Sequence, residues 1–252
     1  LTAADLSAIG GATSGTVTVT NGVTVSGTQA EVEAALITAA SKVELAAAST
    51  ADVSNAVTAA QGAAIASVGN TIGKFTGGVI DTATHLAAGG AATAALTAIV
   101  TDDADVVITV SDAAGSALTA ADLSAIGGAT SGTVTVTNGV TVSGTTAEAT
   151  AALVTDATKV AAALADVNLT DSVRISEIKA IDDVVGIVTF STVSDTAAAL
   201  AADAIKGSPD RPYLASASTV IVEDEVSVAE IGAIDKATAA GIDYSTVEDR
   251  AS

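Results

Sequence analysis

Residues 1–28 and residues 118–145 are the same string, LTAADLSAIGGATSGTVTVTNGVTVSGT, without one difference. Folds tolerate conservative apolar exchanges, so identity over the whole string points to recent copying or to recombination rather than to structural constraint. The chain is a repeat protein. Units of a repeat cannot bury their apolar faces alone and do so by stacking on their neighbours, which limits what this sequence can fold into.

A weaker repeat lies beneath the exact one. The nonapeptide Leu118–Ile126 shares its pattern with Val173–Ile181 and Val226–Ile234, and in degenerate form with Val57–Ile65. The closing isoleucines Ile9, Ile65, Ile126, Ile181 and Ile234 follow at spacings of 56, 61, 55 and 53. Five units of about 55 residues result: 1–49, 50–103, 104–164, 165–217 and 218–252. The nonapeptide starts a helix. Thr2, Thr119 and Ser227 stand at the N-cap, with Asp5, Asp122 and Glu230 three residues on, the spacing of a capping box. Leu1 with Leu6, Leu118 with Leu123 and Val226 with Ile231 have the spacing of a hydrophobic staple. Val173 and Ile178 keep the staple, while Arg174 loses the cap. Gly10-Gly11 and Gly127-Gly128 then weaken the helix.

Strands are expected before each nonapeptide, at Val106–Asp112, Val167–Asp171 and Val220–Asp224, with a short one at Val53–Asn55. Their closing Asp or Asn is expected to bond its own downstream backbone and turn the chain into the helix. A second strand follows the helix. In TVTVTNGVTVSGT the Asn-Gly pair is a hairpin signal, but a two-residue turn would leave valines on both faces. The segment Ile187–Ser194 aligns with this strand once Asn-Gly-Val is removed. The expectation is therefore one strand with a three-residue bulge or small loop at Asn21-Gly22-Val23 and Asn138-Gly139-Val140. Second helices are expected over Thr28–Ala48, with Val32, Leu36, Ala39 and Val43 on one face, and over Thr145–Ala165. Asp81-Thr82 and Asp195-Thr196 open the corresponding helices of units two and four. The former breaks at Gly89-Gly90 and resumes to Val100. Ser208–Ser218, with Pro209 and Pro212, is an irregular insertion.

The fold class that follows is α/β: tandem strand-helix-strand-helix units with mostly parallel strands and right-handed crossovers, as a solenoid-like stack or a chain of small modules. Unit one lacks its leading strand and unit five its closing helix. Without an initiator Met or a signal peptide, the chain is expected to be a processed or interior piece. Its ends would continue into another copy, covalently or by subunit contact.

The core must be thin. Apolar residues make up 49% of the chain, but there are two Phe, two Tyr and no Trp, Met or Cys. The net charge is −20 with nine basic residues spread singly. This argues against nucleic acid, which needs clustered Lys and Arg, and favours cations. The Ala-rich run Thr82–Thr101 is broken by Thr, Gly and His85, so no membrane span is expected. His85 is the only histidine and sits in an Ala-rich helix, where a structural role outweighs catalysis. No metalloprotease, CxxC, Walker or dinucleotide motif occurs, and Gly69–Gly78 lacks the context of a phosphate loop. No catalytic or cofactor-binding residue is expected, and the chain reads as a non-enzyme. Asp112, Asp171 and Asp224 could line up along a stack and recruit calcium; the alternative is a ladder of turn-forming and helix-capping side chains. Asp102-Asp103-Ala104-Asp105 reads as a solvated turn.

One family resembles this pattern. The strand Ile108, Val110, Asp112 is followed by Ala121, Leu123 and Ile126 around Asp122, then Gly132 and Val134, then Ser143, Gly144, Thr145, Ala147 and Glu148. This is similar to the giant repeat-rich surface proteins of cyanobacteria and other marine bacteria, described as β-strand-repeat proteins. The resemblance implies an extracellular surface or matrix protein. Some such proteins carry calcium-binding glycine-rich nonapeptides, which are absent here. The expected function is structural: an extracellular protein that self-assembles into a filament, sheath or surface layer. The alternative is a passive stalk or adhesin segment of a giant cell-surface protein.

Overall fold

In the computed structural model, residues 1–38, 40, 42–155, 157–158, 160–206 and 212–248 are described. The fold is α/β, with mostly parallel strands in several small open sheets. Ten α-helices occur among the described residues: α1 (Ala3–Gly11), α2 (Gln29–Leu36), α3 (Ala59–Ala66), α4 (Ala83–Leu86), α5 (Ala94–Asp102), α6 (Ala120–Ala129), α7 (Thr146–Leu153), α8 (Ile175–Asp182), α9 (Ala197–Ala204) and α10 (Val228–Ala237). The chain divides into two compact units. One holds Leu1–Ala113, Ala121–Asn138 and Asp156–Ala161; the other holds Ala114–Ala120, Gly139–Thr155 and Ala162–Ser252.

In the first unit, Thr24–Gly27, Ser49–Val53 and Thr71–Lys74 form a parallel sheet, and Thr2 extends it opposite Ser26. Val17–Thr18 pairs with Val43–Glu44. A four-stranded parallel sheet joins Val79–Asp81, Ile108–Val110, Val134–Val136 and Val160–Ala161, with Val57 opposite Val79. Helix α1 packs on α2, and α3 on α5. In the second unit one parallel sheet runs Ala117–Thr119, Thr141–Gly144, Asp166–Leu169, Ile187–Thr189. Another runs Ser172–Val173, Thr192–Asp195, Thr219–Val222, Gly241–Asp243. Val226–Ser227 pairs with Val247–Glu248. There α7 packs on α8 and α9 on α10.

The expected strand-helix-strand-helix module is not what stacks. The recurring coil is strand, corner, strand, helix, and partners in a ladder lie one coil apart: Ser172 faces Thr192, and Ile80 faces Thr109. New ladders begin just before a helix, at Thr2, Val57, Ala117, Ser172 and Val226. Two coils separate successive starts. Asn-Gly-Val is not a bulge within one strand but a small loop between two strands. Val17–Thr18 and Thr24–Gly27 belong to different sheets, as do Val134–Val136 and Thr141–Gly144, so the three residues lie in the corner between two ladders. The doubted hairpin is absent, because each strand finds its backbone partners in neighbouring coils.

The second helices are well under half the expected length, at 8 residues each. Helix α2 ends at Leu36, and Val43 lies in a strand opposite Val17; α7 ends at Leu153, and Val160 pairs with Val134. The β-branched valines satisfy a ladder better than a third helical turn. Ala39 lies outside the described residues. The helix opened by Asp81-Thr82 closes at Leu86. An antiparallel hairpin, Ala87–Ala88 with Ala91–Ala92, turns at Gly89 and Gly90 (φ +62° and +77°), and α5 resumes at Ala94. Two glycines at positive φ are what a tight primed turn requires. Of the insertion at 208–218, residues 208–211 lie outside the description, and Tyr213–Ser216 is one 3₁₀ turn.

Capping holds the short helices. Thr28 with Glu31, Thr58 with Gln61, Thr145 with Glu148 and Ser227 with Glu230 complete capping boxes. Thr2 accepts the Asp5 N–H, and Arg174 gives no side-chain cap. The core is lined by small side chains in register: Val25 against Ala51, Val142 against Val167, Val193 against Val220, all buried. Strand-end glycines set the packing distance to the helices. A Cβ on Gly27 would lie 2.9 Å from that of Ala3, and on Gly144 2.8 Å from that of Ala120.

Candidate functional site

The recurrent polar feature is a row of Asp and Asn side chains at the ends of strands. The first N–H groups of a helix lack intrahelical acceptors and carry partial positive charge. Here they meet an acceptor from the next coil. Asn55 Oδ1 accepts from Gln29 N–H (2.6 Å), Asp81 Oδ2 from Ala59 N–H (2.9 Å) and Asp112 Oδ2 from Ala83 N–H (2.7 Å). In the second unit Asp171 Oδ1 accepts from the N–H and hydroxyl of Thr146 (both 2.8 Å). Asp195 Oδ2 accepts from Ile175 N–H (3.1 Å) and Asp224 Oδ1 from Ala197 N–H (2.6 Å). The acceptor therefore ties one coil to the helix before it, where sequence reasoning expects a bond to its own downstream backbone.

This places the three calcium candidates. Asp112, Asp171 and Asp224 each have a carboxylate oxygen engaged by a peptide N–H, and Asp112 is buried. Among the described residues, no three His, Asp or Glu side chains gather so as to hold a metal ion. Asp81 and Asp195 belong to the same row, although the sequence marks them only as openers of their own helices. They do both: Asp81 Oδ1 also accepts from Thr82 N–H, and Asp195 Oδ1 from Thr196 N–H, each at 2.8 Å. A signal for the second role exists, since an Asp closes each of those strands one coil after an earlier helix start.

His85 Nδ1 lies 2.6 Å from Asp81 Oδ1, with its ring largely exposed. Burial alone would raise the Asp81 pKa; hydrogen bonds from His85, Ala59 N–H and Thr82 N–H outweigh it and hold the carboxyl below its ordinary value. The run at 102–105 is not a solvated turn. Asp102 accepts from Gly73 N–H (2.6 Å), and buried Asp103 accepts from Phe75 N–H (2.7 Å), so together they close the free edge of strand Thr71–Lys74. Lys74 bridges Asp103 and Asp105, which raise its pKa, and it lowers that of Asp105. Arg174 pairs with Glu223 at 2.6 Å. Buried Asp203 takes Lys206 and the Leu214 N–H. A cleft of about 510 Å³ in the first unit is lined by Thr18, Leu36, Val43, Glu44 and Asn70 among others; its one ionisable side chain is Glu44. These arrangements orient backbone and join coils.

No protein family, no curated protein and no solved structure matches the chain. Among the described residues no helix is long and apolar enough to cross a membrane.

Proposed function

We propose that this chain is a structural, non-enzymatic repeat protein that works outside the cell by assembling with itself into a filament, sheath or surface layer. The observation that supports the reading is the coil-to-coil joint. The coils that carry Asn55, Asp81, Asp112, Asp171, Asp195 and Asp224 each present a parallel strand and a carboxylate or amide for the helix of the coil before it, and a further coil could add by the same bonds. The charge of −20 speaks against a nucleic-acid partner, and the resemblance to repeat-rich surface proteins supports the extracellular setting.

Electron microscopy and sedimentation of the purified chain over a concentration series test the idea. Ordered fibres or sheets that grow with concentration are the expected result. Isolated, non-associating rods would favour a passive stalk, and a compact monomer at every concentration would remove the assembly reading altogether.

A further inference from the structure

The chain has five asparagines, and only Asn168 has Thr or Ser two residues on. Asn21, Asn55 and Asn138 have Val at that place, and Asn70 has Ile. Asn168-Leu169-Thr170 is therefore the single Asn-x-Ser/Thr tripeptide, the acceptor pattern of N-linked glycan transfer. A tripeptide this short carries weight only where the fold presents it.

The fold does so here. Asn168 lies in strand Asp166–Leu169, in the second unit. Successive side chains of a strand point to opposite faces. Leu169 points into the core and is 2% exposed, so Asn168 and Thr170 share the outer face, and both are exposed. In the register of the sheet, Ser143 and Thr189 stand on either side of Asn168, and Thr119 beyond Ser143. These are short side chains, which leave the space above the Asn168 amide open. The Thr189 hydroxyl lies 3.3 Å from Asn168 Oδ1 and 3.1 Å from the Val167 carbonyl. It engages the amide by its oxygen. Among the described residues, Asn168 Nδ2 meets no acceptor. Other asparagines spend their amides on the fold: Asn55 Oδ1 accepts from Gln29 N–H, and Asn70 Nδ2 and Asn138 Nδ2 donate to the carbonyls of Leu45 and Asp112. Asn168 thus combines the tripeptide, an outward face and an amide nitrogen that the coil joints do not use.

We propose that Asn168 is an N-glycosylation site whose donor is a lipid-linked oligosaccharide pyrophosphate. In the transfer, Nδ2 bonds to C1 of the first sugar and the bond from C1 to the pyrophosphate oxygen breaks. The lipid pyrophosphate leaves with the electron pair, and the amide proton passes to a base of the transferase. The Thr170 hydroxyl, on the same face, is the group by which the transferase reads the tripeptide. A glycan there lies over Ser143 and Thr189 and keeps that sheet face in water. The site rests on the extracellular part of the reading above and not on self-assembly.

Trypsin cuts after Lys159 and Arg174, which puts Asn168 on the peptide 160–174. The chain is isolated from the cells that make it, with the medium and cell surface separated from the cell interior. Mass spectrometry then weighs this peptide before and after an amidase that removes Asn-linked glycans. The expected result is a peptide heavier by a glycan, which the amidase removes to leave aspartate at position 168. Chains carrying Asn168→Gln or Thr170→Ala, made by the same cells, are expected to lack the glycan, and Asn138→Gln to keep it. A glycan that persists in Asn168→Gln would overturn the assignment. An unmodified peptide from chain recovered outside the cell would overturn the site and leave the extracellular reading standing. Chain recovered only inside the cell, and unmodified, would overturn both.

Discussion

Asp112 shows what a single side chain contributes. It is buried, and its carboxylate receives the first N–H of α4 from across a coil boundary. Asp112→Ala leaves that N–H unsatisfied and should cost about 1–2 kcal/mol, measured as a lowered urea midpoint. Asp112→Asn keeps an acceptor, as Asn55 does for Gln29, and should lose less than half as much; equal losses would show that charge, not hydrogen bonding, carries the contact. Acid tests the same bonds together. The pKa values of Asp81 and Glu31 are lowered, the first by hydrogen bonds that outweigh burial, the second by the Thr28 N–H and hydroxyl. A carboxyl whose folded pKa is depressed stabilises the fold above its unfolded value, near 4, and loses that contribution as pH falls through the folded value. Melting temperature should therefore decline mainly below pH ~4, and Asp81→Asn should make the decline shallower. An unchanged acid profile in that variant would remove Asp81 from the account. At this scale the sequence is informative about which residues matter, since the strand ends point to Asp112, Asp171 and Asp224. It is silent on the partner, because a helix N–H one coil away is close only in space.

Helix starts are legible because their causes are local: Thr28 and Glu31 stand three apart, and a capping box needs nothing else. Helix ends are not. Val43 continues an apolar face at helical spacing, yet it pairs with Val17, and that competitor lies outside any local window around Val43. The corners between strands escape sequence reasoning for the same reason. Close approach of coils is decided by glycines. A Cβ on Gly77 would stand 2.0 Å from the backbone of Asn55, whereas one on Gly69 meets nothing within 4 Å. Gly77→Ala should destabilise by about 2–4 kcal/mol and Gly69→Ala by no more than about 0.5 kcal/mol, compared by chemical denaturation monitored by circular dichroism. Equal effects would mean that backbone spacing at this contact is loose.

For the whole molecule, the period marked by the closing isoleucines is the distance between ladder starts, and the coil that stacks is about half of it. Several short ladders stand where one continuous sheet would be expected. Charge acts at this scale too. A chain carrying −20 repels its copies, and salt screens that repulsion within about 10 Å at 0.1 M. If copies join by backbone pairing and apolar cover, raising NaCl from about 10 mM to about 0.5 M should strengthen association in light scattering. Dissolution by salt would instead place ion pairs at the joint.

The amino-acid order by itself determined the α/β class, the helix starts and the identity of the acidic positions, because caps, staples and β-branched runs act over short stretches of chain. The tertiary structure decided where helices stop, which strands share a ladder and what each carboxylate holds. Those outcomes depend on backbone groups a whole coil away in sequence, as Ser172 is from Thr192 and Ile80 from Thr109. The duplicated string carries both lessons. It forms the same helix and strands twice, yet Ile126 is buried and Ile9 is not, because strand Ile108–Val110 and the residues before it lie against the second copy.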